Sequence, residues 1–278
     1  MELYKGKISV IMPAYNESAH IYGNIIETWR VFRRTRCGFE IIVVDDGSGD
    51  ATYAEAVRAA RELVGVHVVH YTSNNGKGSA LKEGFRHATG DYVVFLDSDL
   101  DLHPAQLHGL FKVMRNLRAD VVIGSKHHPA SKLDYPGYRK VISRVYALIL
   151  KVLFNLPLRD TQTGLKVFNS GVLDSVFPKV LCKRYAYDLE LLVNAHHLGY
   201  KVVEAPVVLN YRRPKKWGRI GLGDFYATGM DTLAIFYRMY ILRYYDSIDI
   251  GAAPAERGRR GAAKRQRTKG YGTGLRWR

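Results

Sequence analysis

Short apolar runs alternate with amphipathic stretches of helix length through the first half of the chain. Ile8–Met12 reads as a strand stopped by Pro13, and the next stretch as a helix to about Arg36 with Ser18 at its N-cap. Phe39–Val44 is a second buried strand, ending in Asp45-Asp46-Gly47-Ser48-Gly49-Asp50, with Ser48 or Asp50 placed to cap a helix to about Leu63. The strand Val66–Tyr71 leads through Ser73-Asn74-Asn75-Gly76-Lys77-Gly78 into a helix ending near Gly90. Tyr92–Leu96 is a strand of β-branched and aromatic residues, followed by a helix over Pro104–Leu117 and a short strand over Asp120–Gly124. The alternation predicts an α/β fold with a parallel, doubly wound sheet. Each polar motif falls just past a strand and so on one edge of that sheet, where open α/β sheets bind ligands.

The second half breaks the alternation. Tyr138–Phe154 is an apolar helix with Lys140, Arg144 and Lys151 along one side, which suits an interfacial helix and a core helix with a solvated stripe alike. A polar loop, Arg159-Asp160-Thr161-Gln162-Thr163-Gly164, precedes the apolar Leu165–Phe168, and a helix is expected over Arg184–Leu198. Lys201–Glu204 and Val207–Tyr211 read as edge strands around Pro206, closing with Arg212-Arg213. Over Leu222–Tyr245, apolar residues recur at helical spacing, with Asp224, Thr228, Asp231 and Arg238 on the opposite side. This segment is too charged to span a bilayer and rich in Tyr and Phe, which favour the headgroup zone. It either packs against the domain or lies on a membrane surface, and the basic residues after it favour the surface.

Those residues form a tail. Residues 251–278 carry nine Lys and Arg against Glu256 alone, a net +8 that is half of the chain's +16. With six glycines and few apolar residues the tail is expected to be disordered when free and to meet an anionic membrane surface. Its only aromatic residues are Tyr271 and Trp277, which excludes specific nucleic-acid recognition and leaves nonspecific attraction. At 278 residues, 47% hydrophobic and 24% charged, the chain can bury a substantial core. The expected organisation is a main domain over 1–220, a surface helix over 221–246 and the tail. Cys37 and Cys182 stand alone, and the pairs His127-His128 and His196-His197 lack metal-ligand spacing, so no zinc site is expected. No signal peptide opens the sequence and no run of 18 apolar residues occurs, so the expected location is cytoplasmic and peripheral to a membrane.

Candidate chemistry centres on Asp97-Ser98-Asp99-Leu100-Asp101, three carboxylates at alternate positions past a strand end. Carboxylates so close repel one another, and a hard divalent cation with oxygen ligands favours their ionised forms, although an acidic turn capping the next helix reads the same way. Asp45-Asp46 past the second strand suits hydrogen bonds to a base or ribose, or a capped turn. Glycines beside Lys77 at a helix start suit a diphosphate, by close backbone approach and opposite charge.

Taken in order, Tyr15-Asn16-Glu17, VVDDGSGD at 43–50, NNGKGSALKEG at 74–84, DSDLD at 97–101, DTQTGLKVF at 160–168 and YDLELL at 187–192 resemble a known family. It is the inverting GT-A glycosyltransferases that include the dolichyl-phosphate mannose and glucose synthases, and the resemblance covers about residues 7–213. It implies a Rossmann-like, mostly parallel sheet flanked by helices. It implies a nucleotide-sugar pocket of Pro13, Ala14, Tyr15, Asn16, Glu17, Asp45, Asp46, Gly76, Lys77, Asp97 and Ser98, with Asp45 near the base. It further implies catalytic roles for Asp97 and Asp99, and a divalent metal, Mg2+ or Mn2+, at Asp97, Asp99 and Asp101. The position of Asp101 is often Gln in the mannosyl synthases. Lys126, where the family commonly has Arg, joins Arg139, Gln162 and Arg212 near the acceptor phosphate. DTQTGLKVF is closer to the glucosyl synthases.

The implied reaction moves a sugar from a nucleotide-diphosphate sugar, UDP-glucose-like or GDP-mannose, to dolichyl or polyprenyl phosphate, and leaves room for a membrane-protein partner. A phosphate acceptor is largely dianionic near neutral pH and needs no general base. The rival is a glycan or glycolipid hydroxyl as acceptor, which needs a base, and Asp188 or Glu190 is the candidate.

Overall fold

The computed structural model describes residues 6–131, 137–183, 186–209 and 222–248, and the side chains of 137–144 and 222–226 lie outside that description. The expected tail over 251–278, the boundary near 220 and Arg212 also lie outside it. The strands are β1 (Lys7–Ala14), β2 (Gly38–Asp45), β3 (Val66–His70), β4 (Tyr92–Phe95), β5 (Val121–Ser125), β6 (Lys166–Asn169) and β7 (Val202–Pro206). They form one seven-stranded sheet among the described residues, in the order β3-β2-β1-β4-β6-β5-β7. β1 pairs in parallel with β2 and β4, β2 with β3, and β5 with β7, while β6 runs antiparallel between β4 and β5. The chain leaves β1 towards β2 and β3 and returns to the other side of β1 as β4. The order therefore reverses between β1 and β4, and their carboxyl ends open a crevice there.

Both faces of the sheet are covered, which is why its strands read as unbroken apolar runs. On one face Ile8, Val10 and Met12 of β1 pack with α1 (Ile21–Arg33), α2 (Thr52–Glu62) and α4 (Leu107–Leu117). On the other, Ile11 meets α3 (Lys77–His87), α5 (Gly137–Phe154), α6 (Ser170–Val176) and α7 (Tyr187–His197).

Three expectations change, and one apolar run that carried no assignment gains one. Ser18 does not cap α1, whose first residue is Ile21; its amide donates to Asp50 instead, at 3.2 Å. Leu165–Phe168 lies largely in the antiparallel β6, too short for its direction to be read from pattern. Pro206 ends β7 opposite Ser125 at the sheet edge, where its missing N–H costs nothing, and among the described residues the second expected strand is reduced to a bridge at Val208, with 210–211 outside that description. The single amphipathic helix over 222–245 is α8 (Leu222–Phe236), a π-helical turn over Tyr237–Ile241, and, past a left-handed Arg243, the short α9 (Tyr244–Ser247). The π turn adds a residue to the repeat and rotates everything after Phe236 out of the extrapolated stripe. Arg238, within that turn, faces inward rather than to solvent, and Phe236 just ahead of it packs on the core.

Candidate active site

Asp97 lies two residues beyond β4, and its carboxylate forms an ion pair with Lys77 at the start of α3. Desolvation pushes the Asp97 carboxyl up, but Lys77, with Lys166 and Lys126 behind it, more than offsets this and holds it below its ordinary value. The same pairing outweighs desolvation at Lys77 and raises its ammonium. Beyond Asp97 the loop is fixed from both sides. Asn24 of α1 donates to the Ser98 carbonyl at 2.8 Å, and the buried Leu100 anchors the loop in the core with φ +52. A left-handed leucine is strained, and strain held by core packing is characteristic of functional loops. Asp99 accepts the Asp101 amide at 3.2 Å. Among the described residues no three His, Cys, Asp or Glu side chains converge closely enough to hold a metal by themselves.

Across the crevice, several residues expected to touch a nucleotide tie loops together. Asn16, left-handed at φ +51, accepts the Gly49 amide at 3.0 Å and gives its own amide to Ser48 at 2.9 Å. The Glu17 amide donates to Thr52 at 2.7 Å. Asp46 accepts the amides of Asn75 and Gly76 at 2.9 and 2.8 Å, which fixes the turn ahead of Lys77. Desolvation nevertheless leaves the Asp46 carboxyl above its ordinary value. Asp45 is fully buried, with Ser48 on one oxygen and His70 Nδ1 at 2.7 Å from the other, and Tyr53 stacks on His70. Pro13, Ala14 and the exposed Tyr15 line the end of β1 between these loops and Asp97.

Asp50 makes a separate prediction. Desolvation works upward there, but hydrogen bonds from Thr52 and Ser18 lower its carboxyl from 3.8 to about 2. The folded value lies below the unfolded one, so its stabilisation is present above about pH 4 and is lost as pH falls towards 2. The melting temperature of the wild type is expected to exceed that of Asp50→Ala by a fixed margin above about pH 5, and the margin to close by about pH 2. Thermal unfolding across that range measures it.

On the other side of β4, Asp160 gathers the residues expected near an acceptor. Its carboxylate takes the amides of Lys126 at 3.0 Å and Gln162 at 3.2 Å, while Glu204 of β7 takes those of Arg159 and Asp160 at 2.7 and 3.0 Å. Gly164 abuts Asp97 so closely that an added Cβ would overlap its carboxylate, within 2.9 Å of Oδ1 and nearer still to Cγ. The buried Lys166 binds the Thr163 carbonyl and pairs with Asp188 of α7, and desolvation lowers its ammonium despite that partner. The hydroxyls of Ser125 and Thr163 are buried here with no hydrogen-bond partner among the described residues. Glu190 points elsewhere, into a cluster of donors. The Arg139 side chain lies outside the described residues.

Sequence reasoning had not singled out Gly164, Asp160, Glu204, His70 or Lys166. Lys166 carried a usable signal, because a lone ammonium in an apolar strand demands a buried carboxylate. The others form contacts across the sheet that no local pattern encodes.

Carboxylates past β4, set against a glycine-lysine helix start across the switch point of a mostly parallel sheet, define a GT-A glycosyltransferase. Residues 9–177 match the model of Glycosyl transferase family 2, and the chain belongs to that family. It is 33% identical over 204 residues to the glycosyltransferase AglD of Haloferax volcanii, covering 72% of this chain but only 32% of that protein, about a third of its length. It is 29% identical over 236 residues to the dolichyl-phosphate beta-glucosyltransferase ALG5C of Trichomonas vaginalis, covering 81% of this chain and 68% of that one. Among solved structures, glucosyl-3-phosphoglycerate synthase from Mycobacterium tuberculosis, crystallised with Mn2+, UDP-glucose and phosphoglyceric acid, superposes with a TM-score of 0.62. That match covers 84% of this chain and 79% of the other at 23% identity, a likeness of fold.

Proposed function

We propose that the protein transfers a hexose, glucose from UDP-glucose in preference to mannose from GDP-mannose, to dolichyl or another polyprenyl phosphate, with inversion. One observation carries the choice of acceptor. Both carboxylates that a hydroxyl acceptor would use as base are engaged: Asp188 by Lys166, and Glu190 by donors on both oxygens. A phosphate monoester, with its second pKa at about 6, needs neither. One of its oxygens bonds to the anomeric carbon as the bond from that carbon to the diphosphate breaks. The electron pair leaves with the nucleoside diphosphate and no proton moves. Lys126 and Gln162, whose amides Asp160 holds together, are assigned to the acceptor phosphate, with Arg139 and Arg212 as further ligands. Lys77, beside Asp97, offsets charge on the donor side. The names of two relatives, both dolichyl-phosphate beta-glucosyltransferases, support the donor and acceptor chosen.

The donor set also fits a hard cation, Mg2+ or Mn2+. Such ions commonly take one or two carboxylates and complete their shell with phosphate oxygens and water, so Asp99 and Asp101 suffice while Asp97 stays with Lys77. Bound there, the ion supplies Lewis-acid stabilisation of the departing diphosphate. Release of UDP or GDP from a panel of nucleotide sugars, with and without polyprenyl phosphate, tests the assignment. Release that is unchanged by the lipid phosphate would refute the acceptor.

The same reading places the enzyme on a cytoplasmic membrane surface. Among the described residues no helix is long and apolar enough to cross a membrane. Yet α5 exposes Leu148 and Val152 (62% and 76%), and α8 with its π turn exposes Leu233 and Ile241 (55% and 63%). Phe154 packs against Phe236 and Tyr240, so the two stripes adjoin. An apolar face of this kind, followed in the sequence by a +8 segment, fits anionic lipid. The double variant Leu148→Asp, Leu233→Asp is expected to stop co-sedimenting with anionic vesicles while binding nucleotide normally, because charges are costly at the acyl boundary. Unchanged sedimentation would assign the face another role.

A further inference from the structure

We propose that Glu190 is a positioning residue for the nucleotide site, joining the seat of the C-terminal segment to the start of α3; this rests on the nucleotide-sugar reading above. Glu190 is fully buried in α7, and its two oxygens face two different parts of the chain. Oε2 accepts the amides of Leu181 and Cys182 at 2.8 and 2.6 Å. Oε1 accepts the Tyr245 hydroxyl at 2.5 Å and Arg238 Nη2 at 3.0 Å, and Arg238 Nε in turn donates to the Tyr245 oxygen at 2.9 Å.

The next residue along the loop carries the connection onward. The Lys183 carbonyl accepts the Gly78 amide at 2.9 Å, and Gly78 follows Lys77, the partner of Asp97. Contact here is too close for any side chain: a Cβ on Gly78 would lie 2.7 Å from Cβ of Tyr187 and 3.0 Å from that carbonyl. From the same loop Lys179 donates to the carbonyls of Tyr245 and Ile248, a second tie to the chain beyond α8. The loop over 179–183 is therefore held between the C-terminal segment and the α3 start. A carboxylate buried this deeply is costly unless its donors stay in place. Removing a donor on the C-terminal side leaves Glu190 under-satisfied, and the loop, with its grip on Gly78, relaxes. Arg238 and Tyr245 thus act on the diphosphate site without touching it, from the segment that also carries the apolar face.

The test uses the full chain with Mn2+ and measures UDP affinity by calorimetry, together with KM for UDP-glucose and for polyprenyl phosphate. Tyr245→Phe and Arg238→Met are expected to weaken UDP and raise the donor KM by about tenfold, with acceptor KM within about twofold of wild type. Ile235→Val loosens the core packing of α8 without removing a donor to Glu190 and is expected to leave UDP affinity unchanged. If Tyr245→Phe and Arg238→Met lower the melting temperature but bind UDP like the wild type, Glu190 is a structural clamp alone and the proposal fails. A rise in donor and acceptor KM together, or an equal loss in Ile235→Val, also overturns it. A wild type that binds neither UDP nor GDP brings down the nucleotide-sugar reading first, and the link with it.

Discussion

The Asp99→Asn enzyme is expected to fold like the wild type and to lose about 10³-fold in kcat/KM, several kcal/mol of transition-state stabilisation. The amide is isosteric, and its oxygen still accepts the Asp101 amide, so the loop between Ser98 and the core-anchored Leu100 keeps its course. What disappears is one of the anionic oxygen donors proposed to hold the cation. Relief of repulsion among three neighbouring carboxylates is expected to hold the melting temperature of the metal-free variant level or raise it. Chelator is expected to reduce the wild type to the level of the variant. Undiminished turnover of either enzyme in excess chelator would contradict the metal assignment.

Gly164→Ala is expected to cost about 10²-fold in kcat/KM with little loss of stability. The added methyl occupies the space of the Asp97 carboxylate, which is half-buried and can swing aside rather than force the strand apart. Swinging aside breaks its pair with Lys77 at the start of α3. Overpacking usually costs about 1–3 kcal/mol, and a partly exposed side chain places this case at the low end. Kinetics alongside thermal unfolding separates the two effects. A large fall in melting temperature with proportionate loss of activity would show that Gly164 serves packing, and unchanged activity that the position of Asp97 is immaterial.

Both expectations concern residues whose legibility in the sequence differed. The parallel half of the sheet could be read because strands covered on both faces leave unbroken apolar runs, and the loops at their carboxyl ends gathered the polar motifs at one edge. Asp97, Asp99 and Lys77 could be placed there because each lies within a few residues of a strand or helix end. The roles of Asn16 and Asp46 could not be separated from ligand binding by sequence, since a backbone amide and a nucleotide ask for the same side chains. Asp188 and Glu190 stand two apart on a helix and therefore face different ways, one to Lys166 and one to Arg238 and Tyr245. Arg238 lay beyond reach because it falls within the π turn, where the helical repeat changes. Neither Gly164 against Asp97 nor Lys183 against Gly78 leaves any periodic trace.

The central claim is that the acceptor is a phosphate and that transfer proceeds without a protein base. It is tested most directly with a matched pair of lipids, polyprenyl phosphate and the corresponding polyprenol, each incubated with the full chain, Mn2+ and sugar-labelled UDP-glucose or GDP-mannose. The expected result is that label enters the lipid phase with the phosphate alone and is released from it by mild acid, as a sugar phosphodiester requires. Transfer to polyprenol, or label that enters a glycan while both lipids stay blank, would contradict it and return Asp188 to consideration as a base.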